Sequence, residues 1–192
     1  MLAIALKFIR DTLNQHIKSP DLPEDLVQIG NVALIDAYSS SASNNLTNKV
    51  IISLINVEEE KTLKNAPYLP AKQNSDGTTA TKTSPIYINL YLVFGANNSD
   101  YGDSLTYLSK IISFFHTYKV FEGQAYQELG EAGIEKMIFD LCSMRFEELN
   151  QVWGILGGKY VPSVIYKVRL FAIQNEVGQG VGLVRRIETQ QN

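Results

Sequence analysis

Few residues in this chain are of the types that do chemistry by themselves. There are two histidines, His16 and His116, and one cysteine, Cys142. The histidines are far apart in sequence, with no metal-ligand spacing around either. Cys142 sits in an apolar alternating run, which reads as a small buried hydrophobe rather than a nucleophile. Glu58-Glu59-Glu60 offers three carboxylates, but neighbouring side chains point in different directions, so a solvated loop entry is expected. Glu147-Glu148 stands at the start of a helical stretch, where acids suit the helix dipole. Gly154-Ile155-Leu156-Gly157-Gly158-Lys159-Tyr160 lacks the glycine spacing and the Ser or Thr of a phosphate loop. Gly178-Gln179-Gly180-Val181-Gly182 has the wrong spacing for a dinucleotide fingerprint, and too little chain follows for a βαβ unit. No Gly-x-Ser-x-Gly elbow, His-Glu-x-x-His or paired cysteines occur. The residues disfavour an enzyme and call for no cofactor and no metal.

Composition points the same way. Lys and Arg number 17 against 20 Asp and Glu, a net charge of −3. That is a poor start for a protein living on phosphate contacts, so no nucleic-acid partner is expected. Hydrophobic residues make up 45% and charged residues 19%, ordinary for a globular fold. A chain of 192 residues can bury roughly 70% of its unfolded surface without staples. The single cysteine allows no internal disulfide, which fits a reducing compartment. The apolar start Met1–Leu6 stops at Lys7, unlike a signal peptide, and no window is long and apolar enough to span a bilayer. A soluble, cytoplasmic chain is expected.

The surest element is Pro85–Phe94. Ile86, Ile88, Leu90, Leu92 and Phe94 alternate with Tyr87, Asn89, Tyr91 and Val93, the period of a strand with one dry face. A helix follows over 101–118, with Asp100 as N-cap, Asp103 against the dipole, and Leu105, Leu108, Ile112 and Phe115 as its buried stripe, widened by Ile111 and Phe114. Another amphipathic helix is expected over 2–18, with Leu2, Leu6, Ile9, Leu13 and Ile17 inward. Strands are expected over 27–37 and 50–57, paired as a hairpin with a long tip. A long irregular loop should fill 58–84. Residues 122–135 read as loop with helical turns, 137–144 as a strand, and 146–156 as a short helix striped by Phe146, Leu149, Trp153 and Leu156 and closed by Gly157-Gly158. A last strand covers 161–173. The end, 176–192, is a glycine-loosened lead and a short alternating stretch. It reads equally as a strand added to a neighbour's sheet edge, an edge strand of its own domain, or a frayed terminus.

Trp153, Leu156-Gly157 and Pro162-Ser163-Val164-Ile165-Tyr166, with Pro85, Asn89 and Leu90 of the central strand and the helix after it, resemble one family across most of the chain. It is the cap, or tail-terminator, family of phage-tail-like contractile injection systems, once known only as a domain of unknown function. Trp153, Leu156, Gly157, Pro162, Ser163 and Tyr166 are its packing motif here. The resemblance implies an α+β fold, a single twisted and mainly antiparallel sheet with helices packed on it. It implies a domain over 1–175, holding the 58–84 loop, and a C-terminal arm over 176–192. It also implies a homohexameric ring at the distal end of the inner tube and sheath that ends their polymerisation. The partners would be further copies of the chain, the inner tube protein and the sheath protein, with no membrane insertion. The location would be the cytoplasm during assembly and then the particle. Val181, Leu183, Arg185, Arg186 and Ile187 are the candidate contacts of the arm with sheath or neighbour. Two alternatives stand beside this: a ring at the tube-initiating, baseplate-proximal end, and a small-molecule-binding domain or unrecognised enzyme with an aromatic pocket drawn from Phe114, Phe115, Tyr118 or Trp153.

Overall fold

The computed structural model describes residues 1–17, 25–35, 46–60, 72–73, 79–80, 85–157 and 160–172. In chain order these form α1 (Leu2–Ile17), β1 (Val27–Ile29), a 3-10 turn (Val32–Leu34), β2 (Lys49–Glu59), β3 (Lys72–Gln73), β4 (Thr79–Ala80), β5 (Ile86–Asn97), α2 (Tyr101–Thr117), β6 (Val120–Glu122), α3 (Gln127–Glu131), β7 (Ile134–Leu141), α4 (Phe146–Ile155) and β8 (Ser163–Ala172). Six strands make one sheet in the order β1-β2-β5-β8-β7-β6, and β3 and β4 pair separately. All neighbours in the large sheet are antiparallel except β1 and β2. The expected α+β sheet with helices packed on it is what forms.

β5 lies at the centre, because both of its faces carry side chains that bury well. Leu90, Leu92 and Phe94 meet α1 and α2 on the first face, while Val93 joins a second cluster on the opposite face. The first face is sealed largely by aromatic packing. Phe115 of α2 stacks on Phe139 of β7 at 4.2 Å and 10°, and Tyr166 of β8 sits 5.0 Å from Phe115. Phe8 of α1 meets Phe121 and Tyr126 edge-on at 5.5 and 4.9 Å. Asp100 caps α2 as expected, accepting the Asp103 N–H at 2.9 Å.

Several local expectations are corrected. The strand expected over 27–37 stops at Ile29. Ser53 Oγ accepts the Val32 N–H at 2.8 Å and donates to the Gly30 carbonyl, and this bends the chain into the 3-10 turn. β1 runs parallel to β2, so the two are not a hairpin. Asn14 of α1 brackets Val27: its side-chain amide N–H donates to the Val27 carbonyl at 2.9 Å and its amide oxygen accepts the Val27 N–H at 2.8 Å. Glu58 and Glu59 continue β2 rather than opening a loop, paired with Asn89 and Ile88. Residues 122–135 contain the end of β6 and all of α3, and β7 begins at Ile134 rather than Met137. Each amphipathic helix is turned from its expected stripe. Ala5 and Phe8 are buried in α1, and Ser104 and Tyr107 in α2, whereas Leu105 is exposed. Ser104 is buried, and its hydroxyl donates to the Asp100 carbonyl at 3.2 Å.

Candidate assembly surfaces

The second face of the sheet differs from the first. At one end it carries a compact apolar cluster of Val32, Ile35, Leu46, Ile51, Val93, Val161 and Ile165, with Trp153 of α4 laid over it. Leu149, Val152 and Leu156 pack against the same cluster, so α4 is bound by one stripe. Phe146 lies outside that stripe, 89% exposed, and Ile155 is 81% exposed. Residues nine apart on a 3.6-residue period project from opposite sides of a helix. α4 therefore shows solvent one bare apolar side chain on each flank, at its two ends. Tyr160 just beyond it and Leu141 just before it are exposed as well. The Glu148 carboxylate accepts the Arg145 N–H at 2.9 Å and fixes the first turn that presents Phe146.

Beyond α4 the second face becomes polar. Tyr91 Oη donates to Glu58 at 3.0 Å, and the Asn89 amide donates to Glu60 at 3.0 Å. Arg169 donates to Asp140 through Nε at 3.0 Å and Nη2 at 2.8 Å, and Lys119 Nζ lies 2.8 Å from the same carboxylate. Burial alone would raise the Asp140 carboxyl, but the hydrogen bonds from Lys119 and Arg169 outweigh it and hold it below its ordinary value. Burial and the nearby Glu58 push the Tyr91 phenol up. Burial, with Glu148 next, pushes the Cys142 thiol up, which disfavours the thiolate.

The six residues on which the resemblance rests fall in different layers. Trp153, 5% exposed, meets the Tyr160 ring at 5.5 Å. Leu156 caps α4 and Gly157 takes φ +96°, a left-handed turn that favours glycine. The Pro162 carbonyl accepts the Ala96 N–H at 2.8 Å, and Ser163 pairs with Gly95. Tyr166 points to the first face, where burial raises its phenol to about 12. The aromatic residues considered for a pocket do not share one: Phe114 and Phe115 are core on the first face, and Trp153 is core on the second. Phe114 and Tyr118 do line an open groove of 670 Å³ with His16, whose ring lies 4.6 Å from Phe114 and 5.3 Å from Tyr118. The arm residues Val181, Leu183, Arg185, Arg186 and Ile187 lie outside the described residues, as does most of the 58–84 segment. No group of three or more His, Cys, Asp or Glu residues is placed to hold a metal among the described residues. No described helix is long and apolar enough to cross a membrane.

The six-stranded sheet with helices packed on it has the α/β fold of solved tail terminators. The sheath/tube terminator of PVC, an extracellular contractile injection system, in its extended state has this fold, with a TM-score of 0.65 at 14% identity. The match covers 100% of this chain and 63% of that one. The tube-terminating cap of the anti-feeding prophage matches with a TM-score of 0.51 at 13% identity, over 74% of this chain and 49% of that chain. The chain thus spans less than two thirds of either. No curated protein sequence matches. The chain belongs to the Pvc16 N-terminal domain family, whose profile matches residues 6–186. The kinship read from Trp153 to Tyr166 is therefore established.

Proposed function

We propose that this chain is a structural terminator of a contractile injection system. It would form a homohexameric ring on the distal end of the inner tube and sheath and end their polymerisation. The observation that carries this is the correspondence of the whole chain, end to end, with a sheath/tube terminator, within a family it belongs to. The chain acts by binding: its contacts are with its own copies, the tube protein and the sheath protein, made in the cytoplasm during assembly and retained in the particle. A closed ring needs head-to-tail contacts on two opposite sides of each subunit. Phe146 and Ile155, bare on opposite flanks of α4, are suited to that, and the arm 176–192 is a further contact to sheath or neighbour. Deleting the chain from a system that assembles particles tests the reading. Tubes and sheaths of uncontrolled length are expected, with labelled chain at the end away from the baseplate. Unchanged particle lengths, or label at the baseplate end, would refute it.

A further inference from the structure

The open groove of 670 Å³ lies along α2 beside the end of α1. The α2 residues that line it run from Leu105 to Thr117, a length of about 18 Å. Leu105 and Tyr118, at its two ends, are 45% and 47% exposed. Between them stand hydroxyls whose protons are already engaged. Thr106, Ser109 and Thr117 donate to the carbonyls of Gly102, Leu105 and Ser113 at 3.0, 2.7 and 2.9 Å, so covering them strands no donor. Lys110 differs. Among the described residues it is the one Lys, Arg, Asp or Glu that lines the groove, and no carboxylate pairs with it. Covering it calls for an anion. The groove therefore fits an apolar side chain with one carboxylate beside it.

We infer that this groove receives Phe146 and Glu147 of a second copy of the chain. Phe146 is the most exposed large apolar side chain among the described residues, and an aromatic anchor in a groove is the usual centre of an interface. Glu147 beside it is exposed and has no ion pair or side-chain hydrogen bond among the described residues. Other acids next to exposed apolar residues are engaged: Glu58 beside Val57 accepts from Tyr91, and Asp140 beside Leu141 accepts from Arg169. Tyr101 and Asp103 have a similar make-up but belong to α2 itself, so a contact through them would join like faces and stop at a dimer. Gly154, seven residues from Glu147 and so on the same side of α4, has nothing within 4 Å of where a Cβ would stand. That bare side lets α4, about 15 Å long, lie close along the groove. α4 covers the second face of the sheet, whereas the groove is on the α1–α2 layer of the first. The chain therefore does not fill its own groove with α4, and the contact between copies is head-to-tail. The inference rests on the proposed ring and names the two surfaces that close it.

The test uses the full chain and reads self-association by sedimentation and native mass. Lys110→Glu reverses the charge of the groove, Glu147→Lys reverses that of its occupant, and Ser113→Trp fills the groove from an exposed position on α2. Each should weaken association by about tenfold or more, about 1.4 kcal/mol, with Tm little changed for Lys110→Glu and Ser113→Trp. Glu147→Lys also puts a cation at the start of α4, so it is read by rescue. Lys110→Glu with Glu147→Lys in one chain should regain association. So should a mixture of the two single variants, since each groove then meets an occupant of opposite charge. A monomeric wild type, association unchanged in all three single variants, or a charge swap that restores nothing overturns the inference. So does a fall in Tm for Lys110→Glu and Ser113→Trp with association intact, because the groove would then be filled by the chain's own residues. Particle length separates the two readings. Length control that depends on the chain, with association untouched by these variants, leaves termination standing and this inference refuted. Rescue by the charge swap, with particle length unchanged when the chain is deleted, does the reverse.

Discussion

Replacing Phe146 and Ile155 by alanine, singly and together, separates folding from docking. Phe146 is 89% exposed and Ile155 81%. Burying a whole side chain of this size is worth about 1.5–3 kcal/mol, and only the remaining tenth and fifth are covered. The pair therefore contributes under ~1 kcal/mol to folding, partly offset by alanine's better helix propensity. At ~2–4 °C per kcal/mol for a chain of this size, Tm should move by no more than about 2 °C. If the two side chains anchor ring contacts, truncation should cost association ~2 kcal/mol each, or ~30-fold. They stand about 13 Å apart along the helix, so their effects should add. Thermal unfolding and native mass over a dilution series read the two quantities on the same samples. Loss of Tm with association intact would mean that Phe146 and Ile155 pack within the subunit. No change in either quantity would remove α4 from the assembly surface.

Trp153→Ala should cost folding about 3–5 kcal/mol, because the ring is buried under α4; Trp153→Phe should cost much less, because Nε1 has no protein partner to lose, and urea unfolding distinguishes them. Gly123→Ala should destabilise by about 1–3 kcal/mol, since an added Cβ would lie 2.1 Å from the Ile134 carbonyl oxygen; a neutral variant in the same unfolding assay would refute this. Asp100→Ala should cost about 1 kcal/mol through loss of the α2 cap, read as a fall in Tm. The Asp140 carboxyl is held down in the folded state, so its contribution is present above the ordinary carboxylate range and lost as pH falls through the folded value. Asp140→Asn should therefore flatten the acid limb of the stability-against-pH curve between about pH 5 and 2. An unchanged acid limb would show that Lys119 and Arg169 do not stabilise the fold through it.

What the sequence revealed depended on how local each cause was. The period-two run of β5, the Asp100 cap and the Gly157 turn are set within a few residues, and all were readable. The alternation in β8 was equally plain. β1 was not, because its end is decided by Ser53, two dozen positions away, which takes the Val32 N–H. Parallel pairing with β2 is likewise non-local. The rotation of α2 hid for another reason. Leu105 is more hydrophobic than Ser104, but Ser104 is the buried one, and it satisfies its hydroxyl on the preceding turn. Phe146 was placed inside on hydrophobicity alone, although as the first residue of α4 it overhangs the cluster. Glu58 to Glu60 looked like loop because acids seldom line a strand, yet Tyr91 and Asn89 provide donors across the sheet. The kinship was legible through packing residues, whereas the surfaces that would assemble a particle were not.

That division follows from what each face must do. The first face is closed by interlocked aromatic rings from α1, α2, β5, β7 and β8, and such packing tolerates little displacement. It holds the sheet as one stiff body. The second face has Trp153 as its main cover and bare side chains at both ends of α4. A stiff body with exposed apolar side chains on one face suits a subunit completed by neighbours, because contacts made there would not need to reorder the core. Binding to a preformed surface avoids most of the ordering cost of association. β5, central and satisfied on both sides, then acts as the fixed reference from which α4 is presented.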